Sequence, residues 1–285
     1  MKQADTLKSC LDSLADSYGG DYLDSDPVGL VHDFSAMGDI EVAAFIASAL
    51  AYGGAKQIRK SVRDALDRLD KSPSSCVMES SGRELRQRFK GFKHRWTDGD
   101  DMAYVLRKIG EIIMEHGSIG RFVESIDRPG DGTIERTLSL FSSRIVDSYQ
   151  SEAGIKNTRN GISYLVPSPI KGSACKRMAM YFRWMVRGPD DVDFGLWSFI
   201  HPSRLIIPVD SHIARMGTLL GLTERKSPDW KMALEITAAL KTLDANDPLR
   251  YDFALVRPGI LGECSKSSKG DCSNCVLQTV CLDAE

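Results

Sequence analysis

Long apolar runs are missing from this chain: no stretch approaches the roughly 20 residues that a membrane-spanning helix needs. A secretory signal is missing too, because the opening MKQADTLKSCLDSLADSYGG is polar and mixed in charge. The expectation is therefore no membrane span, a cytoplasmic location and thiols kept reduced. Clustered cysteines in that setting are metal ligands more readily than disulfides. A dominant charge is also lacking: 37 Lys and Arg oppose 39 Asp and Glu, a net of −2. Global charge advertises no nucleic-acid binder, so any phosphate contact must come from local clusters. Repeats and low-complexity tracts are absent. Strand-like alternation is scarce, and the short apolar run RLIIPV (204–209) is interrupted by Pro208.

What is present is helical spacing almost throughout. DIEVAAFIASALAYGGAKQIRKSVRDALDRL (39–69) carries apolar residues at helical intervals and breaks at Tyr52-Gly53-Gly54, which predicts two helices around a tight turn. Further helices are predicted over 100–118, 134–150, 176–188, 209–222 and 229–243. In the 176–188 helix, Met178, Tyr181, Phe182 and Met185 read as the inner face, with Arg177, Arg183, Trp184 and Arg187 more outward. The fold class is all-α. The layout reads as an N-terminal helical extension (1–38), a two-lobed helical body (39–260) and a cysteine-bound tail (261–285).

Cysteine is sparse except in that tail. Four of the seven, Cys264, Cys272, Cys275 and Cys281, form C-x7-C-x2-C-x5-C within 18 residues. Short loops close at little entropic cost, and thiolates suit zinc or iron–sulfur clusters. Structural zinc sites usually pair two C-x2-C knuckles, whereas this chain has one, flanked by single cysteines. We read a [4Fe–4S] cluster, with zinc as the alternative. Lys266 and Lys269 in the same loop are placed to face a phosphate backbone. Cys10, Cys76 and Cys175 read as ordinary thiols.

Two stretches upstream bear on chemistry. PSPIKGSACKRMAMYFRWMVRG (167–188) runs from a Pro/Gly turn straight into a helix, a geometry that points N–H groups at a phosphate. Lys171, Lys176 and Arg177 add charge there. VDSHIAR (209–215) delivers Asp210 to a helix start, where it is either a helix cap or a functional carboxylate. Ser211 is a competing cap. FKHRW (92–96) either touches DNA or caps the helix at 100. Arg250 and Asp252 in DPLRYDF (247–253) read as an ion pair that docks the tail.

The order of these parts resembles the helix-hairpin-helix DNA glycosylase superfamily, above all its endonuclease III-like branch. There a hairpin of the form LPGVGxK is followed by VDTHxxR, which carries the catalytic aspartate, and then by a four-cysteine iron–sulfur loop. IKGSACKR (170–177) is similar to that hairpin, with Gly172 and Lys176 in the glycine and lysine places and Ala174 where a second glycine is usual. VDSHIAR is similar to the aspartate motif, with Asp210 in the catalytic place. The tail resembles the cluster loop with one extra residue in its first gap. Other segments (DPVGLVHDFS, VDFGLW, DPLRYDFALV) look like a poorly characterised sub-branch. The resemblance covers 160–281 firmly and 39–69 weakly.

The resemblance implies a helix-hairpin-helix glycosylase-like fold and double-stranded DNA as partner, with the protein a nucleoid-associated monomer. It implies excision of a damaged or modified base, including a bulky hypermodified one. The nucleotide is flipped out, and a carboxylate, Asp210, stabilises positive charge on the sugar and orients water. Lys176 is either a phosphate contact or an amine that attacks C1′ and adds strand cleavage. Gly172, Ser173, Lys171, Arg177 and Arg215 fall to DNA binding, as do Tyr52 and Gln57 on the early helix pair. The longer stretch from Lys176 to Asp210 is expected to bulge toward the site and bring Trp197, His201 and Arg204 with it. Trp184 and Trp197 are then base-pocket candidates. The competing reading is a non-catalytic iron–sulfur DNA-binding or sensing module, in which Asp210 is a cap only.

Overall fold

The computed structural model describes residues 2–18, 22–23, 26–153, 160–264 and 272–283. Helices account for nearly all of its regular structure. They are α1 (Lys2–Ser17), α2 (Met37–Ala49), α3 (Ala55–Asp67), α4 (Pro73–Glu79), α5 (Gly82–Arg88), α6 (Gly99–His116), α7 (Ile119–Ile126) and α8 (Glu135–Ala153). α9 (Asn160–Leu165), α10 (Lys176–Val186), α11 (Ser211–Leu219), α12 (Trp230–Lys241) and α13 (Asp252–Ile260) complete them. The described strands, β1 (Lys93–His94) and β2 (Thr97–Asp98), form one short antiparallel hairpin. The all-α class is what the helical periodicity predicts. RLIIPV forms no strand: Leu205 to Val209 run as buried extended chain, and Ile207 N–H donates to the Thr237 hydroxyl (3.0 Å) instead of to a ladder.

Local signals set the helix ends. Asp98 caps α6 through the N–H groups of Asp100 and Asp101, and Asp101 reaches back to the Asp98 N–H. Ser81 and Glu84 make the same reciprocal pair at α5. The α2–α3 break falls at Gly53, whose φ of 111° is cheap only for glycine.

Buried hydrophobic side chains form one connected core, from Leu11 and Leu14 of α1 to Leu255 of α13. α2 lies at its centre, with both α10 and α4 packed against it. Glu41 is the most deeply buried charged residue of α2, at 1% exposure. Its carboxylate accepts the N–H groups of Ile119 (3.0 Å) and Gly120 (2.9 Å), and the Trp197 indole N–H (2.8 Å). That satisfies a charge whose burial pushes the carboxyl pKa up against these same hydrogen bonds.

The 188–203 segment departs from expectation. It does not bulge toward a site but folds back over α10, with Phe194 N–H on the Trp184 carbonyl and Trp197 N–H on that of Met185 (both 2.8 Å). This covers the face of α10 that an isolated helix would leave outward. Trp184 and Trp197 are therefore 2% and 1% exposed, in a core with Tyr181 and Phe182. They are packing side chains, not the lining of a base pocket. Arg204 is buried in a two-pronged pair with Asp127 (2.7 and 2.9 Å), and His201 sits exposed against Ser203.

Arg183 and Arg187 likewise do not stand outward on a solvated face. Arg183 joins Asp252 (2.7 Å) and Asp193 (3.1 Å) in the interior, and Arg187 pairs with Asp247, Asp190 and Asp193. Asp252 is thus tied to α10 and not to Arg250, which reaches Asp12 and Asp244 instead. The network joins α10, the folded-back segment and α13.

Candidate functional site

The site is built where α10 and α11 begin. Ahead of α10, a 3-10 turn at Pro169–Lys171 ends at Gly172, whose φ of 73° lets the chain reverse. Ser173 then bridges to Asp229, and the Trp230 N–H reaches the Gly172 carbonyl (3.4 Å), which ties the turn to the start of α12. Cys175 precedes the helix at φ 50°, and no side chain caps α10. Its N-terminus is thereby left for an external acceptor, with Lys171 and Ser173 exposed beside it.

α11 starts differently. Asp210 Oδ1 accepts from the N–H groups of His212 (2.8 Å) and Ile213 (3.0 Å), so Asp210, not Ser211, is the cap. The other oxygen, Oδ2, lies 3.2 Å from Nζ of Lys176. One carboxylate therefore does two jobs. Burial pushes its pKa up, but the Lys176 ammonium and the Ile213 N–H outweigh burial and hold the carboxyl below the ordinary aspartate range. It is a half-buried anion at neutral pH, beside a half-buried cation.

A third wall comes from the α2–α3 turn. The Tyr52 hydroxyl donates to the His94 carbonyl (3.0 Å) and lies 2.7 Å from the Thr97 hydroxyl, which pins the 93–98 hairpin to the turn. His94 is buried between Ser61 and the Tyr52 carbonyl, and burial keeps its pKa low. At the hairpin tip, Arg95 (φ 51°) and Trp96 stand exposed, Trp96 by 58%. Behind them the Trp96, Tyr164 and Tyr52 rings follow one another at 6.2 and 5.7 Å. The Arg177 guanidinium stacks over Tyr52 (4.8 Å) and Tyr164 (5.6 Å). FKHRW thus supplies more than a cap, since Asp98 is the cap of α6. The pattern did not single out Tyr164. Gln57 lies exposed on α3, its amide on Ser61 (3.1 Å), without a place in this group.

The tail docks on the Asp210 helix. Arg215 of α11 points Nη2 at Cys264 Sγ (3.7 Å), and Leu282 N–H donates to the Leu219 carbonyl (2.8 Å). Gly259 of α13 sits so close to His212 that an added methyl would meet Nδ1 at 2.4 Å. Among the described residues, no group of three or more His, Cys, Asp or Glu is arranged to hold a metal ion. The donor chemistry nevertheless fits a soft metal group. Four thiols within 18 residues are soft donors of the kind that zinc or an iron–sulfur cluster takes. Lys266 and Lys269 lie outside the described residues.

A family profile described as "protein of unknown function (DUF2400)" matches residues 26–261. The chain belongs to that family. Comparison with curated proteins and with solved structures gave no match.

Proposed function

We propose that this member of the family is a DNA glycosylase that hydrolyses the N-glycosidic bond of a damaged or modified base in double-stranded DNA. The observation that carries the reading is the pairing of Asp210 with Lys176 at 3.2 Å, at the starts of two helices. An ionised carboxylate held in a half-buried place is suited to a sugar that turns cationic as its base departs. The same carboxylate orients the attacking water, or takes its proton. The uncapped start of α10, with Lys171 and Ser173 beside it, suits a phosphate of the same strand. The exposed Trp96, and Ile170 at 77% exposure, are apolar groups able to fill the gap that a flipped nucleotide leaves.

An ammonium has no lone pair for attack on C1′, and the Lys176 Nζ lies 3.2 Å from the Asp210 carboxylate. Hydrolysis is therefore the principal reaction of this reading, and strand cleavage through a Lys176 Schiff base is secondary. Cys264, Cys272, Cys275 and Cys281 would hold a [4Fe–4S] cluster, with zinc as the alternative metal. The group supplies a fixed anchor for the tail rather than a reaction step. Through Arg215 and Leu282 that anchor reaches α11, and with it Asp210.

The experiment is excision from duplexes that each carry one modified base, scored as abasic sites by alkaline cleavage, with Asp210→Asn as control. The variant is expected to bind DNA and lose excision. Excision retained by Asp210→Asn removes the reading. A non-catalytic iron–sulfur DNA-binding module has one observation in its favour: capping α11 accounts for Asp210 without chemistry. DNA binding with no excision by either protein selects that module.

A further inference from the structure

The tip of the 93–98 hairpin shows more apolar surface than packing accounts for. Trp184, Trp197 and Trp230 are 5% exposed or less, whereas Trp96 is 58% exposed, and Tyr164 behind it 40%. The mounting of Trp96 is nevertheless firm. Tyr52 holds the hairpin through the His94 carbonyl and the Thr97 hydroxyl, and Ser61 anchors His94. Arg95 is held at φ 51°, a left-handed conformation that a residue with a Cβ enters at a cost. An exposed ring on a fixed, strained turn is arranged for a partner.

The surroundings of the ring say what that partner is like. Lys93 and Arg95 are exposed on the same hairpin, and neither has an ion pair among the described residues. The Arg95 side chain lies over Gly53, where an added methyl would meet its Cδ at 3.1 Å and its Nη1 at 3.2 Å. Lys56 is exposed on that same α2–α3 turn. Of the acids that follow the hairpin, Asp98 caps α6 and Asp101 reaches back to it, which leaves Asp100 exposed. Around the tip, Lys56, Lys93 and Arg95 thus outnumber Asp100. Aromatic rings set among unpaired cations suit a nucleic-acid strand, since the rings take bases and the cations take phosphates.

The spacing of the rings bears on whether that strand is paired. Trp96, Tyr164 and Tyr52 follow one another at 6.2 and 5.7 Å, tilted by 31° and 34°. A base held between two rings needs roughly 7 Å, twice the 3.4 Å rise of stacked bases. No base enters this row, so the surface on offer is the outward side of Trp96, continued by Tyr164. Bases within a duplex have both faces covered, whereas an unpaired base can turn one to a ring. The net charge of −2 also gives paired DNA no global attraction, and stacking needs none.

We propose that Trp96 and Tyr164 form a stacking platform for unpaired bases, and that the DNA this protein prefers carries an unpaired stretch beside its target. The inference rests on DNA as the partner in the glycosylase reading. It goes further, because filling one gap in a paired duplex takes a single ring, whereas the platform takes bases that are already unpaired. Arg177, the residue after Lys176, stacks over both Tyr164 and Tyr52, so the platform adjoins the Asp210 site.

The test measures binding by full-length protein to two probes of one sequence, a duplex with a short central bubble and the same duplex fully paired. Wild type is expected to bind the bubble about tenfold tighter or better, the effect of one base stacked on a ring. Trp96→Ala is expected to bring that ratio near one, and Trp96→Phe, which keeps a ring, to hold most of it. Because the other tryptophans are buried, the emission of wild type minus that of Trp96→Phe reports Trp96 alone. This signal is expected to be quenched by the bubble and to stay with the paired duplex. Equal binding of the two probes overturns the proposal, as does a ratio that survives Trp96→Ala. Quenching by both probes alike makes Trp96 a wedge in paired DNA and overturns it too. A Trp96 signal that changes with protein concentration alone gives the face to a second copy of the chain, again against the proposal.

Excision by wild type separates this failure from failure of the glycosylase reading. A ratio of one in a protein that excises removes the platform and leaves the glycosylase. A Trp96-dependent ratio in a protein that excises nothing keeps the platform and removes the glycosylase.

Discussion

The carboxylate of Asp210 is shared between its own helix and Lys176: Oδ1 accepts two N–H groups of α11, while Oδ2 lies 3.2 Å from the Lys176 ammonium. The two starts of α10 and α11 are thereby linked by one side chain. The charge state of Asp210 is governed from α10, since Lys176 is the largest influence holding its pKa down against burial.

The first prediction follows from that sign. Lys176→Met removes the attraction and leaves burial, so the Asp210 carboxyl moves up. Excision by the variant is expected to have its acid-side half-maximum at higher pH than wild type. Pre-steady-state excision measured from pH 4 to 8 checks this, and an unmoved acid limb breaks the link between Lys176 and the Asp210 charge. The depressed carboxyl also stabilises the folded state above its unfolded pKa, and that part is lost as pH falls through the folded value. Acid unfolding of Lys176→Met is thus expected at higher pH as well.

The double role of Asp210 separates stability from chemistry. Asparagine is as good an N-cap as aspartate, whereas alanine forfeits the cap at about 1 kcal/mol. Asp210→Asn is therefore expected to unfold in urea close to wild type and Asp210→Ala about 1 kcal/mol earlier. Excision is expected to fall in both by ~100-fold or more. Activity that tracks stability through the pair, with Asp210→Asn active, leaves Asp210 a cap alone.

How much of this was legible in the sequence depends on how far apart the partners lie. Helical spacing in 39–69 and the break at Gly53 are local, and both elements stand where the spacing puts them. Asp210 was legible because VDSHIAR brings an apolar run to a helix start. The burial of Trp184 and Trp197 was not legible. A helical wheel shows which residues share a face, but not that 188–203 folds back to cover it. The partner of Trp197 is Glu41, 156 positions away. Arg183 reads as a surface cation for the same reason, since Asp252 lies 69 residues downstream. Tyr164 carries no pattern of its own. It matters through Arg177, which only the packing of α9 against the hairpin and α6 sets beside it.

The buried ion network yields a stability prediction free of any functional reading. Arg183 is 3% exposed, and its charge is what Asp193 and Asp252 face. Asp252 shows the strain: burial lifts its pKa to about 6, against the pull of Arg183. Removing the cation from two buried carboxylates costs about 3–5 kcal/mol. Arg183→Ala is expected to lower the urea midpoint accordingly, and a loss under about 1 kcal/mol would mean that solvent reaches these carboxylates.

The Trp197 indole offers a sharper test of core against pocket. Trp197→Phe keeps an aromatic ring in the core but leaves Glu41 without one of its three donors. The expected cost is about 1–3 kcal/mol of stability, the range for a buried acceptor left short. Preference among modified bases is expected to stay as in wild type. A changed preference at unchanged stability would return Trp197 to the pocket.

The cysteine tail supplies the last prediction, and its geometry decides what should be measured. Arg215 with Cys264, and Leu282 with Leu219, tie the tail to both halves of α11. A group that fixes the four sulfurs therefore fixes the helix that Asp210 caps. Anaerobically purified protein is expected to hold about four irons and matching sulfide per chain. Cys275→Ser is expected to lose them, and amide exchange in α11 is expected to rise while exchange in α6 stays. Stoichiometric zinc with no iron in protein never exposed to air removes the cluster. Iron lost without any change in α11 exchange leaves the cluster but disconnects it from Asp210, because an anchor that does not hold the helix cannot position the carboxylate at its start.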